Sequence, residues 1–400
     1  MHRVLAAIVG LLLVGNAVAV ATVNDDEHPA LRSAASATST TSVPASTTSV
    51  SPAATSTTAP DPVAAVVKEL QAFVEARRKL KFTQPLKFTL LSNAAFRARL
   101  LQLAKEDDAE LAKTGRELVA LGLLKRGVDL RKARDELLGA AVIGVYDPKA
   151  AELFVRGTKI TPFVRTTLVH EITHALQDQN FKIEHPEYAK RDDEIDLTFS
   201  AVAEGDAVRI EEAYRNTLST AERRQASAEE FALAGSINPA VIPPVLSQLL
   251  VFPYTDGKSL VEALLKAGGS ERVDAAFREP PTTTEQVIHP ERFLAGERPK
   301  TVATPRADGD VIDQGVVGEY LLKLMLSSVS PGDAARAADG WGGDRYVAWD
   351  RGDVTCLRVA ITMDTTKDRD ELRDVLGRWA AKQREAAVTG ADPLVVTACD

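Results

Sequence analysis

Apolar residues recur at helical spacing soon after Asp61-Pro62, at Val66, Leu70 and Phe73, so the folded part is expected to open with a helix capped by Asp61. The alternation then shortens. PLKFTLLS (85–92) reads as a strand, and the run from Asn93 to Leu124 reads as one or two amphipathic helices. VIGVYDPKAAELFVRG (142–157) gives two β-rich runs about Asp147-Pro148, the pattern of a hairpin. TTLVHEITHALQDQ (166–179) returns to helical spacing, followed by a loop at His185-Pro186 and a helix from about Asp192 to Leu218. Further helices are expected near 240–250, 257–267 and 314–328. The tail alternates DRYVAWD, DVTCLRVAITMD, a helix around 367–384 and PLVVTAC, a β-β-α-β order that suits a small mixed sheet. The pattern as a whole is α+β, mainly helical with a small mixed sheet, plus a C-terminal α/β lobe.

Ahead of the periodic region the chain changes character. Residues 1–21 combine a short basic start, an apolar run from Val4 to Val14 and the small-residue patterns Ala17-Val18-Ala19 and Ala19-Val20-Ala21 of an export signal. Apolar character continues almost to Val23, so an uncleaved N-terminal anchor is the competing reading. Residues 22–62 form a linker whose stretch from Ser33 to Pro60 is Ser, Thr, Ala and Pro apart from two valines. Such a segment buries too little apolar surface to offset its conformational entropy, so a disordered tether is expected. No second linker follows. The rest divides into a core at 63–300 and a C-terminal lobe at 301–400 packed on it.

Composition narrows the function. The chain has 400 residues, 45% hydrophobic and 26% charged, with a formal net charge of -8. Its cations are dispersed among acids, which leaves no basic face for a nucleic acid. The expected location is outside the cell, secreted or tethered to the envelope, with membrane contact only through the possible anchor. Two cysteines, Cys356 and Cys399, make a disulfide plausible in an exported chain, with two buried free thiols as the alternative. Neither has a histidine nearby to activate a thiolate.

The chemistry is concentrated in HEITH. Residues four apart share one face of a helix, so His170 and His174 can present both imidazoles to one ion, with Glu171 beside them. With six histidines in the chain, the pattern is expected by chance on the order of 0.01 times. A Zn2+ so held needs a third protein ligand and an open position for water, whose pKa it lowers toward about 7. Glu171 would then act as general base. The metzincin pattern fails at Gln177 and Asn180, which leaves a glutamate from a later helix. Glu204, in Ala-Glu-Gly-Asp-Ala, borders the face shared by Phe199, Val202 and Ala203. Glu211 and Glu212 fall in a more polar turn among Arg209, Tyr214 and Arg215. Asp206 and Asp178 are candidates to accept the free ring N–H of a ligating histidine.

The combination LVHEITHALQDQNF, AVAEGDA, VFPYTDGKSLVEAL, PPTTTEQVIHPERFLAGERP and GWGGDRYVAWD resembles exported bacterial metallopeptidase-like proteins of the gluzincin type, over most of 141–350. The resemblance implies a zincin-like fold with an active-site HExxH helix, in which His170, His174 and Glu204 bind zinc and Glu171 activates water. It departs from thermolysin-like members at Val208, where those carry an aspartate four residues after the ligating glutamate. The implied activity is hydrolysis of peptide bonds in a peptide or protein substrate. Tyr254 and His289, both near prolines in expected turns, are the candidates to stabilise an oxyanion. The hairpin at 142–157 can offer an edge strand to an extended peptide. The alternative function is a catalytically inactive zincin-fold binding or scaffold protein.

Overall fold

A computed structural model describes residues 62–103, 108–157 and 159–400. The export signal or anchor and the tether expected at the N-terminus lie outside the described residues, as does Asp61. No helix among the described residues is long and apolar enough to cross a membrane.

The chain opens with helix α1 (Pro62–Arg78), then β1 (Lys87–Leu91), α2 (Asn93–Leu103), α3 (Asp108–Ala120) and α4 (Leu130–Ala141). The hairpin β2 (Gly144–Asp147) and β3 (Glu152–Arg156) follows and joins β1 in a three-stranded sheet of order β1-β3-β2. This sheet is mixed, because β1 runs parallel to β3 while β2 pairs with it antiparallel.

Helix α5 (Pro162–Phe181) carries HEITH. Thr161 caps it by accepting from the Val164 amide, and Pro162 supplies a first-turn residue that lacks an N–H to satisfy. Its residues are buried almost all round from Phe163 to Gln177, so α5 is a central helix rather than a surface one. Helix α6 (Ile195–Arg215) packs on it, followed by α7 (Thr220–Ala234), which begins with a reciprocal capping box between Ser219 and Glu222.

The helices expected near 240–250 and 257–267 are one continuous segment, α8 (Pro244–Arg278). Pro253 sits inside it without ending it, and the interruption falls instead at Gly268 and Gly269, the latter with φ of 68°. A buried proline removes one backbone bond, whereas only glycine adopts a positive φ at little cost. Two short helices, α9 (Thr284–Ile288) and α10 (Pro290–Ala295), lead to the C-terminal part.

That part comprises β4 (Val311–Gly315), α11 (Gly318–Ser327), α12 (Pro331–Ala338), β5 (Trp341–Arg351), β6 (Val354–Met363), α13 (Thr366–Ala380), β7 (Glu385–Thr389) and β8 (Leu394–Cys399). The strands form one sheet of order β4-β5-β6-β8-β7, and every neighbouring pair is antiparallel, which corrects the expectation of a mixed sheet for this lobe. Hairpin connections account for the β5–β6 and β7–β8 pairs, since a tight turn can only reverse the chain, whereas β4–β5 and β6–β8 are joined through helices. Cys356 and Cys399 are cross-strand partners and are joined by a disulfide.

One hydrophobic cluster unites both parts, running from Phe96 through Val202 and Phe252 to Leu321, Trp341 and Trp379. The joint is also polar. Glu194, just before α6, accepts from the amide and hydroxyl of Thr284 at 2.9 Å each. Thr284 Oγ1 in turn accepts from the Tyr320 amide, and Asp344 on β5 accepts from the amides of Val317 and Gly318 and from the Trp341 indole. Gly318 has φ of 78°, and a Cβ there would lie 1.9 Å from the Glu194 carboxylate. Four segments distant in sequence are thereby fixed at one place.

Candidate metal centre

Helices α5 and α6 bring His170, His174 and Glu204 together, all with no solvent exposure. His170 Nε2 lies 3.0 Å from Glu204 Oε2 and 3.0 Å from His174 Nε2, and His174 Nε2 lies 3.6 Å from Glu204 Oε2. Ligands about 2.1 Å from a tetrahedral zinc stand roughly 3.4 Å from one another. The three separations bracket that value.

Ring orientation explains why the centre calls for a cation. His170 Nδ1 faces Glu211 Oε2 at 3.1 Å, and His174 Nδ1 faces Gln177 Oε1 at 2.9 Å. Each Nδ1 therefore carries a hydrogen toward an acceptor, and in the neutral rings both Nε2 lone pairs point at each other and at a carboxylate. Gln177 is itself oriented, since its amide nitrogen donates to the Ala203 carbonyl at 3.0 Å and to Asp206 at 3.1 Å. Asp206 is held by Arg78 at 2.6 Å and Arg209 at 3.0 Å. Glu204 Oε1 is buried and has no hydrogen-bond partner. Opposing lone pairs and an orphaned carboxylate oxygen suit a divalent ion held by these three residues.

A proton on His170 can take the place of a cation there. Burial disfavours the His170 imidazolium, but hydrogen bonds to Glu204 and Glu211 outweigh it and raise its pKa to about 10. Burial likewise raises Glu204, yet the two imidazoles pull it below the ordinary carboxylate range. Both shifts record a centre at which positive charge is stabilised.

Glu171 projects toward β2, where its Oε2 accepts from the Tyr146 amide at 2.9 Å. Gly144 lets the strand approach, because a Cβ there would already lie 3.0 Å from Glu171 Cγ and 3.0 Å from Thr167 Cγ2. Burial lifts the Glu171 carboxyl to about 7 against the opposing pull of His170 and His174. Strand β2 is at the sheet edge, although all four of its residues are buried.

Of the two oxyanion candidates, the fold brings one to the imidazoles. Tyr254 on α8 stacks on His170, with ring centroids 6.0 Å apart and planes inclined by 17°. His289 belongs to a different group: its Nε2 faces Glu319 Oε1 at 3.1 Å and Asp339 Oδ1 at 3.8 Å. Its neighbours there are carboxylates rather than the HEITH histidines.

The roles expected of two aspartates also change. Asp178 accepts from the Tyr146 hydroxyl at 2.8 Å and from the Ile183 amide, so it orients the hairpin rather than an imidazole. Asp206 acts on His174 only through Gln177. The direct acceptors are Gln177 and Glu211, which polarity along the sequence did not single out. Glu211 lies seven residues after Glu204, two turns along the same face, and its side chain reaches back toward the helix N-terminus. That spacing is the signal that identifies it, and it supplies the carboxylate that Val208 does not.

Comparison with protein families matches residues 305–399 to a domain of unknown function, DUF8575. The matched span is the C-terminal sheet with its helices and does not include the HEITH helix or Glu204. Comparison with curated proteins gives no match, and neither does comparison with solved structures.

Proposed function

We propose that the chain is a zinc-dependent peptide hydrolase of the gluzincin type with a zincin-like fold, exported and acting outside the cell. The observation that carries this reading is the convergence of two imidazole nitrogens and Glu204 Oε2 at separations of 3.0 to 3.6 Å, with Glu204 Oε1 buried beside them and without a hydrogen-bond partner. His170, His174 and Glu204 would hold the ion. A bound Zn2+ supplies Lewis acidity toward a carbonyl and makes water a nucleophile at neutral pH.

The protein's own residues then have distinct tasks. Glu171 takes a proton from the attacking water and returns it to the leaving amine, a cycle that a carboxyl raised to about 7 performs readily near neutrality. Tyr254, stacked on His170, would donate toward the oxyanion. Glu211 and Gln177 hold the rings in the tautomer that leaves Nε2 free. The disulfide supports an oxidising compartment.

Burial favours a second reading, a metal-stabilised binding or scaffold protein that does not turn over. Glu171 and all three candidate ligands have no exposure, and the Glu171 carboxylate is engaged by the Tyr146 amide. One experiment separates the two. Metal content and cleavage of a peptide library are measured for the wild type and Glu171→Gln. Hydrolysis requires loaded wild type to cleave and Glu171→Gln to keep zinc while losing activity. Loaded wild type that cleaves nothing, with a melting temperature that falls on chelation, leaves the scaffold reading.

A further inference from the structure

The joint between the core and the C-terminal part holds a second group of ligand-bearing side chains. His289 links α9 to α10, Glu319 stands in the first turn of α11, and Asp339 precedes β5. Their donor atoms lie within 4.8 Å of one another. His289 Nε2 stands 3.1 Å from Glu319 Oε1 and 3.8 Å from Asp339 Oδ1.

Glu319 separates this group from an ordinary surface ion pair. It is 3% exposed, and its Oε2 is buried without a hydrogen-bond partner. The α11 amides beside it are committed elsewhere, those of Val317 and Gly318 to Asp344 and that of Tyr320 to Thr284. A buried carboxylate oxygen deprived of both water and donors is destabilising unless a cation compensates it. The His289 ring faces only the other oxygen.

We propose that His289, Glu319 and Asp339 form a second divalent-cation site, distinct from the one on α5 and α6, that ties the 284–295 segment to the C-terminal part. One imidazole nitrogen and two carboxylates suit a divalent transition ion of the Zn2+ or Mn2+ kind better than an all-oxygen Ca2+ cage. The Asp339 side chain is 67% exposed, which gives an ion its entry path from solvent. Two of the three residues fall inside the matched 305–399 span and one outside it, so the ion would join the two parts of the chain. This site does not depend on the hydrolase reading.

The test uses the full chain stripped with chelator, reloaded with Zn2+ alone and dialysed, with bound zinc counted by mass spectrometry of the metal. Asp339→Asn and His289→Ala should each hold one zinc fewer per chain than the wild type. Asp339 is exposed and its variant keeps the fold, so a failure of His289→Ala to fold does not spoil the experiment. His170→Ala in parallel reports the other site separately. Zinc content equal to the wild type in both Asp339→Asn and His289→Ala overturns the proposal, whatever His170→Ala does. So does a wild type that binds no zinc.

Discussion

Gly205 and Gly257 meet backbone to backbone where α6 crosses α8. A Cβ on Gly205 would lie 2.2 Å from the Gly257 carbonyl, and one on Gly257 would lie 2.1 Å from the Ala201 carbonyl oxygen. This crossing puts Tyr254, one turn before Gly257, over the ring of His170, and sets Glu204 beside the imidazole pair.

Gly205→Ala should therefore destabilise the fold, although alanine ordinarily gains about 1 kcal/mol over glycine inside a helix. A methyl group at 2.2 Å from backbone atoms cannot be accommodated by rotamer change, and overpacking of this kind costs about 3 kcal/mol. Denaturant unfolding measures the difference. A loss below about 1 kcal/mol would mean that the helices separate easily.

Glu211→Ala should lower zinc affinity by about 10- to 100-fold while leaving the helices intact, because it removes the acceptor that fixes His170. Glu211→Gln keeps an acceptor and should recover much of that loss. Competition with a chelator of known affinity gives the values, and unchanged affinity in Glu211→Ala would remove Glu211 from the site.

The Cys356–Cys399 bond spans 43 residues of sequence, and closing a loop of that length restricts the unfolded chain by about 4 kcal/mol. Replacing both cysteines by alanine should cost about 2 to 4 kcal/mol. Zinc content should stay as in the wild type, since the bond joins β6 and β8 inside the C-terminal sheet and touches neither candidate site. Equal unfolding midpoints for the two proteins would contradict this.

Asp344, which is a ligand in neither candidate metal site, supplies a pH dependence. Burial raises its carboxyl from 3.8 to about 6, against the three hydrogen bonds that favour its ionised form. The folded state thus holds this proton more tightly than the unfolded state. Its contribution is fully present below pH about 4 and is lost as pH rises through about 6, by something on the order of 2 to 3 kcal/mol. Unfolding of wild type and Asp344→Asn should accordingly show the variant gaining on the wild type between pH 4 and 6.5. Parallel curves across that interval would be the contrary result.

Much of the centre was legible because its signals are local. The spacing of His170 and His174 needs only a helix, and Glu204 lies on the face marked by Phe199, Val202 and Ala203. Glu211 was passed over because its neighbours Arg209 and Arg215 make the turn look solvated, although it is only 9% exposed and turned inward. His289 and Asp178 have their partners 30 and 32 residues away, in Glu319 and Tyr146, and no local pattern encodes such pairings. The same limit applies to the fold. The β2–β3 hairpin and α5 follow from turn chemistry and periodicity. The continuation of α8 through Pro253 depends on tertiary burial, and the antiparallel order of the C-terminal sheet depends on how its hairpins fold back. Helix α7 buries only Ala226 and so has no apolar stripe to announce it, although Ser219 and Glu222 carry its capping box.

Glu194 has a mechanical consequence. It stands at the start of α6, ten residues before Glu204, so its seat against Thr284 and Gly318 lies about 15 Å from the candidate centre along one stiff rod. The helix that carries Glu204 is thus seated at its first turn by residues that lie about 90 and 124 positions further along the chain.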